Sequence, residues 1–95
     1  FPPYVASSFM PEISRFFGIV IKMFFDDHNP PHFHAEYSGD VALIDIRNLS
    51  VFSGHLPPRV KGFVIEWATI HQQELIEDWE RAQTQQDLLN IAPLT

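Results

Sequence analysis

The tightest constraint on this chain is the alternation on either side of Ser38-Gly39-Asp40. From His32 to Tyr37 the residues alternate, with Phe33, Ala35 and Tyr37 on one side and His32, His34 and Glu36 on the other. Period two is the signature of a strand with two different faces. Ser38-Gly39-Asp40 offers a tight turn, because glycine takes positive φ without steric cost. Val41 to Arg47 reads as the return strand. A two-residue loop, whether Ser38-Gly39 or Gly39-Asp40, makes paired positions sum to an odd number. Phe33, Ala35 and Tyr37 then share an apolar face with Ala42, Ile44 and Ile46. His32, His34 and Glu36 share the other face with Val41, Leu43, Asp45 and Arg47. A slip of one residue would bury the histidines, so the register is well specified. Either turn puts Asp45 opposite His32 or His34. A charged hydrogen bond is expected there, with the histidine's pKa raised by the carboxylate.

The remaining elements follow from local composition. Gly18 to Phe25 is rich in β-branched and aromatic residues and reads as the first strand. Asp26 to Pro31 breaks it, since two prolines remove two backbone donors. Asn48-Leu49 turns the chain into a further strand over Ser50 to Gly54, although leucine is a poor turn residue. Pro58 suits the first turn of a helix running roughly to Thr84. Val60, Val64, Trp67, Ala68, His71 and Leu75 form its apolar stripe, with Glu66, Gln73, Glu77 and Glu80 off it. His71 reads as a satisfied core histidine, and Glu77, Asp78 and Glu80 as a solvated acidic face. The tail from Leu88 to Leu94 is apolar enough to pack back. The fold class expected is α+β: a small antiparallel β-sheet of three to four strands in a meander, packed on one long C-terminal amphipathic helix. Residues 1–9 read as an expression remnant or disordered arm, and 10–95 as a single domain.

Bulk chemistry removes several function classes. The 95 residues leave room for one core, which 45% hydrophobic residues and nine phenylalanines can fill. There is no cysteine, so disulfide scaffolds, thiolate metal sites and cysteine nucleophiles are excluded. That suits a reducing, cytoplasmic compartment. No apolar run approaches the ~20 residues of a membrane helix. The formal net charge is −6, from 12 acids and 6 scattered bases. A nucleic-acid binder needs a basic stripe, so nucleic acid is disfavoured as the main ligand.

The unusual chemistry is concentrated between Asp26 and Glu36. Three of five histidines lie in His28-x-x-x-His32-x-His34, beside Asp26, Asp27 and Glu36, with Asp45 across the hairpin. Residues i and i+2 on one strand face can share a metal ion, and His28 in the loop can supply a third ligand. A transition metal such as zinc is therefore a candidate cofactor on His28, His32 and His34. The same groups can exchange protons, with Asp45 orienting an imidazole and Arg15 or Arg47 binding phosphate. Histidines on a solvated face, paired with acids, give the same pattern. The pattern is not a zincin signature.

The motifs Pro11-Glu12-Ile13-Ser14-Arg15-Phe16-Phe17-Gly18, Asp27-His28-Asn29-Pro30-Pro31-His32-Phe33-His34-Ala35, Gly54-His55-Leu56-Pro57, Glu66-Trp67-Ala68 and Glu74-Leu75 with Asp78-Trp79 give the chain a family likeness. From Met10 to Leu94 it resembles the bacterial family called domain of unknown function 4160. Asn48-Leu49 departs from the glycine-containing turn usual there. The resemblance implies no settled activity. It implies a partner-binding component of a toxin–antitoxin-like module, since similar genes neighbour a second small family, domain of unknown function 2442. The alternative is a small hydrolase or ribonuclease-like toxin using His28, His32 and His34. One helix can cover only one sheet face. Val41 and Leu43 on the other face therefore point to a homodimer or a small protein partner.

Overall fold

The computed structural model describes residues 11–95, so the arm expected over residues 1–9 lies outside the described residues. Five strands form one antiparallel sheet in sequence order: β1 (Glu12–Phe16), β2 (Ile19–Lys22), β3 (His32–Tyr37), β4 (Asp40–Asp45) and β5 (Val51–Gly54). Two helices follow, α1 (Pro58–Ile70) and α2 (Gln72–Gln83). The α+β meander is as expected, with one more strand and one more helix.

The added strand is β1. It joins β2 through Phe17-Gly18, both at positive φ (52° and 78°), the requirement of a type I′ hairpin turn. Gly18 therefore ends a turn rather than beginning a strand. A phenylalanine in left-handed geometry is unusual; here its ring packs on Phe63 at 5.0 Å. The added helix comes from a break at His71, whose φ of −110° and ψ of 22° leave the helical range. Just past the break, the Gln72 side-chain amide donates to the carbonyls of Ile46 and Arg47, 2.8 and 3.0 Å away. That pins the start of α2 to the end of β4.

The hairpin register is the odd-sum one. His32 pairs with Asp45, Phe33 with Ile44, Ala35 with Ala42 and Tyr37 with Asp40, around Ser38-Gly39. Phe33, Ala35, Ile44 and Ile46 are fully buried with Val64 and Trp67, and Val60 nearly so. The Phe33 and Trp67 rings meet edge-on at 5.7 Å. His71 is half-buried beside Trp67 and is satisfied by Glu74, with Nδ1 2.6 Å from Oε1. At the next turn Leu49, not Asn48, takes positive φ, 54°. Its side chain packs on the core, and the Asp45 carboxylate caps the loop by accepting from the Arg47 and Asn48 amides.

The C-terminal tail packs back as expected. Ile91 is buried and its amide donates to the Ile13 carbonyl, while the Trp67 indole N–H donates to Ala92 O. Asp78 corrects the reading of a solvated acidic face, because it is buried. It shares the α2 stripe with Leu75, Trp79 and Ala82 at helical spacing. Its Oδ1 accepts the Leu89 amide at 2.9 Å, and its Oδ2 is buried without a partner among the described residues.

Two expected outcomes follow. Gly54 has a φ of 79°, and a Cβ there would meet Val41 O at 2.1 Å, whereas at Gly39, with a φ of 90°, it would meet nothing within 4 Å. Gly39→Ala should cost about 1 to 2 kcal/mol from backbone strain alone. Gly54→Ala should cost clearly more, read as the gap between urea midpoints; equal midpoints would contradict the packing. Burial pushes the Asp78 carboxyl above its ordinary value of 3.8, and the Leu89 amide only partly offsets this. Ionisation thus disfavours the folded state. Stability is full below the unfolded pKa and declines as pH rises through the folded one. Asp78→Asn keeps an acceptor for Leu89 without the charge, so its melting temperature should decline less than wild type between about pH 4 and pH 7.

Candidate functional site

The centre of the site is the loop after β2 meeting the start of β3. Alternation sends His32 and His34 to the sheet face opposite the main core. The loop returns Asp27 to the same place. Oδ2 of Asp27 lies 2.9 Å from Nε2 of His32 and 3.5 Å from Nε2 of His34. One potential ligand atom from each residue lies within 4.8 Å of the others.

The loop is held by α2. The Asp26 amide donates to Ala82 O at 3.3 Å, and the Gln83 side-chain amide donates to Asp27 O at 3.1 Å. Gln85 also donates to the Asp26 carboxylate. The other Asp27 oxygen accepts the His28 amide at 2.8 Å. His32 is buried, and its Nδ1 is 2.7 Å from Pro30 O. A carbonyl only accepts, so Nδ1 carries the proton. Nε2 is thereby aimed at Asp27. Aromatic rings fix both imidazoles. Phe24 stacks on His34 at 4.3 Å, Phe52 meets His32 edge-on at 5.4 Å, and Trp79 of α2 reaches His32 at 5.3 Å.

Burial is the strongest influence on His34. It pushes the pKa below the ordinary 6.5, against the pull of Asp27 in the other direction; the neighbouring His32 lowers it further. For Asp27, burial works to raise the pKa. The His28 amide together with the two imidazoles outweighs it and leaves the carboxyl below its ordinary value. The carboxylate beside the histidines is thus Asp27 and not the expected Asp45, and at His34 desolvation outweighs its upward pull.

Several sequence-nominated residues stand apart. Asp45 sits opposite His32 in register, as expected, yet its carboxylate is turned to the Arg47 and Asn48 amides. No hydrogen bond or ion pair joins it to His32 or His34 among the described residues. It is two positions from where the chain turns, and the local amides are the nearer donors. His28 is exposed and outside the Asp27, His32, His34 group. Arg15 is bound by Glu12, with Nε to Oε2 at 3.0 Å and Nη2 to Oε1 at 2.7 Å. Arg47 is exposed. Trp79, Phe24 and Phe52 are the site residues that sequence reasoning missed. Nothing local links Trp79 to a histidine 47 positions earlier.

The structure defines a small α+β protein with a histidine–carboxylate cluster at one end of its sheet. It belongs to the family described as Domain of unknown function (DUF4160), whose model matches residues 18–80. The match includes the whole cluster and Trp79; β1 and the tail lie outside it. No curated protein and no solved structure matches the chain. No helix among the described residues is long and apolar enough to cross a membrane.

In chelator-treated protein, the His34 imidazole should titrate below 6.5 by NMR, because folding disfavours its charged form. By linkage, its neutral form supports the fold above the unfolded pKa, and that support is lost as pH falls toward the folded one. His34→Gln should flatten this acid-side decline. A His34 titration at or above the ordinary value would contradict the packing.

Proposed function

We propose that this protein is the partner-binding component of a toxin–antitoxin-like module, and that it docks a small protein on the sheet face its helices leave open. Cross-strand register places Arg15, Val20, Glu36 and Val41 in one row of that face, and Glu12, Lys22, His34, Leu43 and Ser53 in the next. Val41 is 42% exposed and Phe52 46%, with Val20 and Leu43 half-buried on the same face. The observation that carries the reading is the state of the cations. Lys22 is paired with Glu36 at 3.1 Å, and Arg15 with Glu12 at 2.7 Å. Both bases of these two rows are already paired, and apolar side chains lie among the charge pairs. That composition suits a protein surface and not a phosphate backbone. The resemblance in the sequence supplies the partner class, a protein of the domain of unknown function 2442 type.

A second reading, a small ribonuclease-like hydrolase acting as the toxin, draws on the convergence of Asp27, His32 and His34. The phosphate-binding part of that scheme has less support, since Arg15 is engaged by Glu12. Two concavities form elsewhere, one lined by Glu77, Glu80, Arg81, Thr84 and Gln86, the other by residues between Val51 and Lys61.

The test is co-expression with the neighbouring gene. Co-purification is expected, and Val41→Glu with Leu43→Lys should weaken it at least ~10-fold, the scale of truncating a well-packed interface residue. Growth arrest on expression alone, with RNA cleavage lost in His32→Ala, would favour the second reading. A chain that stays monomeric by light scattering and captures no neighbour would sink the first.

A further inference from the structure

Nothing in the partner-binding reading uses the two imidazoles that converge on Asp27, and the inference here stands independently of it. We propose that Asp27, His32 and His34 form a binding site for one first-row divalent cation of the zinc type.

The geometry carries it. His32 spends its Nδ1 proton on Pro30 O at 2.7 Å. Its other nitrogen then faces the Asp27 carboxylate at 2.9 Å, buried. With a neutral ring, a lone pair on nitrogen would confront a lone pair on oxygen. Either a second ring proton or a cation must lie between them. His34 aims its Nε2 at the same oxygen from 3.5 Å. One proton can bridge one nitrogen to that oxygen; a cation can satisfy all three atoms together. A tetrahedral zinc with bonds of ~2.0 to 2.1 Å separates its ligand atoms by about 3.3 Å. The His34 distance fits, and the His32 distance must open by a few tenths of an ångström.

The surroundings resemble the outer sphere of a metal centre. A metal-bound histidine usually donates its other N–H to a carbonyl or carboxylate, which sets tautomer and orientation. Pro30 O does this for His32. The His28 amide holds the second oxygen of Asp27 at 2.8 Å, leaving Oδ2 for the cation. Phe24, Phe52 and Trp79 restrict both rings, and an apolar shell of this kind strengthens cation–ligand attraction. Two nitrogens and one oxygen select a borderline cation over magnesium or calcium, which prefer oxygen alone. Three protein ligands leave at least one position for water or an external ligand. His34 and Asp27 are the half-buried members, so that position faces outward.

The test uses the full chain, freed of any affinity tag and of metal. Calorimetric titration with zinc chloride should saturate at one ion per chain, and magnesium chloride should give no heat of binding. Asp27→Asn and His34→Ala should each weaken zinc at least ~10-fold, the lower end of what losing even an outer-sphere partner costs. His28→Ala and His55→Ala, at exposed histidines, should leave affinity unchanged. In the wild-type chain, zinc should shift the ring nitrogens of His32 and His34 by NMR and leave those of His28, His55 and His71 in place. This last measurement decides the matter should a variant fail to fold. The proposal is overturned by an absence of saturable zinc binding, by His28→Ala weakening zinc as much as His34→Ala, or by shifts spread over the exposed histidines.

Discussion

Pairing across Ser38-Gly39 is the constraint on which the rest of the molecule depends. With Tyr37 opposite Asp40, every second residue of β3 and β4 is committed to one face. Phe33, Ala35, Ala42 and Ile44 become a continuous apolar surface, and α1 closes it with Val60, Val64 and Trp67. The same pairing sends His32 and His34 to the opposite face. A shift by one would place two imidazoles under Trp67 and expose Phe33, at a cost of roughly 1.5 to 3 kcal/mol for each large side chain moved into water. The hydrophobic core and the polar cluster are therefore products of one register.

A second constraint operates at the end of the sheet. The loop carrying Asp27 has no strand partner and is held by Ala82 and Gln83 of α2 and by Gln85 just past its end. α2 is in turn positioned by the break at His71 and by Gln72 on the carbonyls of Ile46 and Arg47, just past β4. Trp79 then lies against His32. Core packing and site geometry share this helix, with Trp79 facing both. The buried Asp78 beside it holds the Leu89 amide, so the tail, the helix and the loop form one connected assembly.

The open face of the sheet has a different character from the cluster at its end. Its cations are internally paired and its apolar side chains are spaced singly among them. The cluster is lined by aromatic rings, and burial lowers the pKa of its His34. They match the two proposals, a protein surface for the open face and a divalent cation for the cluster. His34 lies in the same row as Leu43 and Lys22, so a protein docked on the face would sit beside the open side of the cluster.

By itself the sequence determined what depends on neighbours along the chain. Alternation in His32–Tyr37 and the turn after it specified the hairpin, its faces and Asp45 opposite a histidine. The apolar stripe specified a helix from Pro58 and its buried side. The density of histidine and acid specified which segment would hold the unusual chemistry. β1 was hidden, because its turn puts Phe17 in left-handed backbone, which a bulky residue rarely adopts. The turn at Asn48-Leu49 was legible, although it is Leu49 that takes the positive φ. Which carboxylate meets the histidines was decided only by the tertiary structure. Asp45 has the right register, but its backbone amides two and three residues on are closer donors, and they capture it. Asp27 has no register at all, and it arrives because α2 grips its loop from more than fifty residues away. Strand periodicity is local and can be read from the order of residues; the position of a loop is set by whatever long-range partner satisfies its backbone, which that order does not contain.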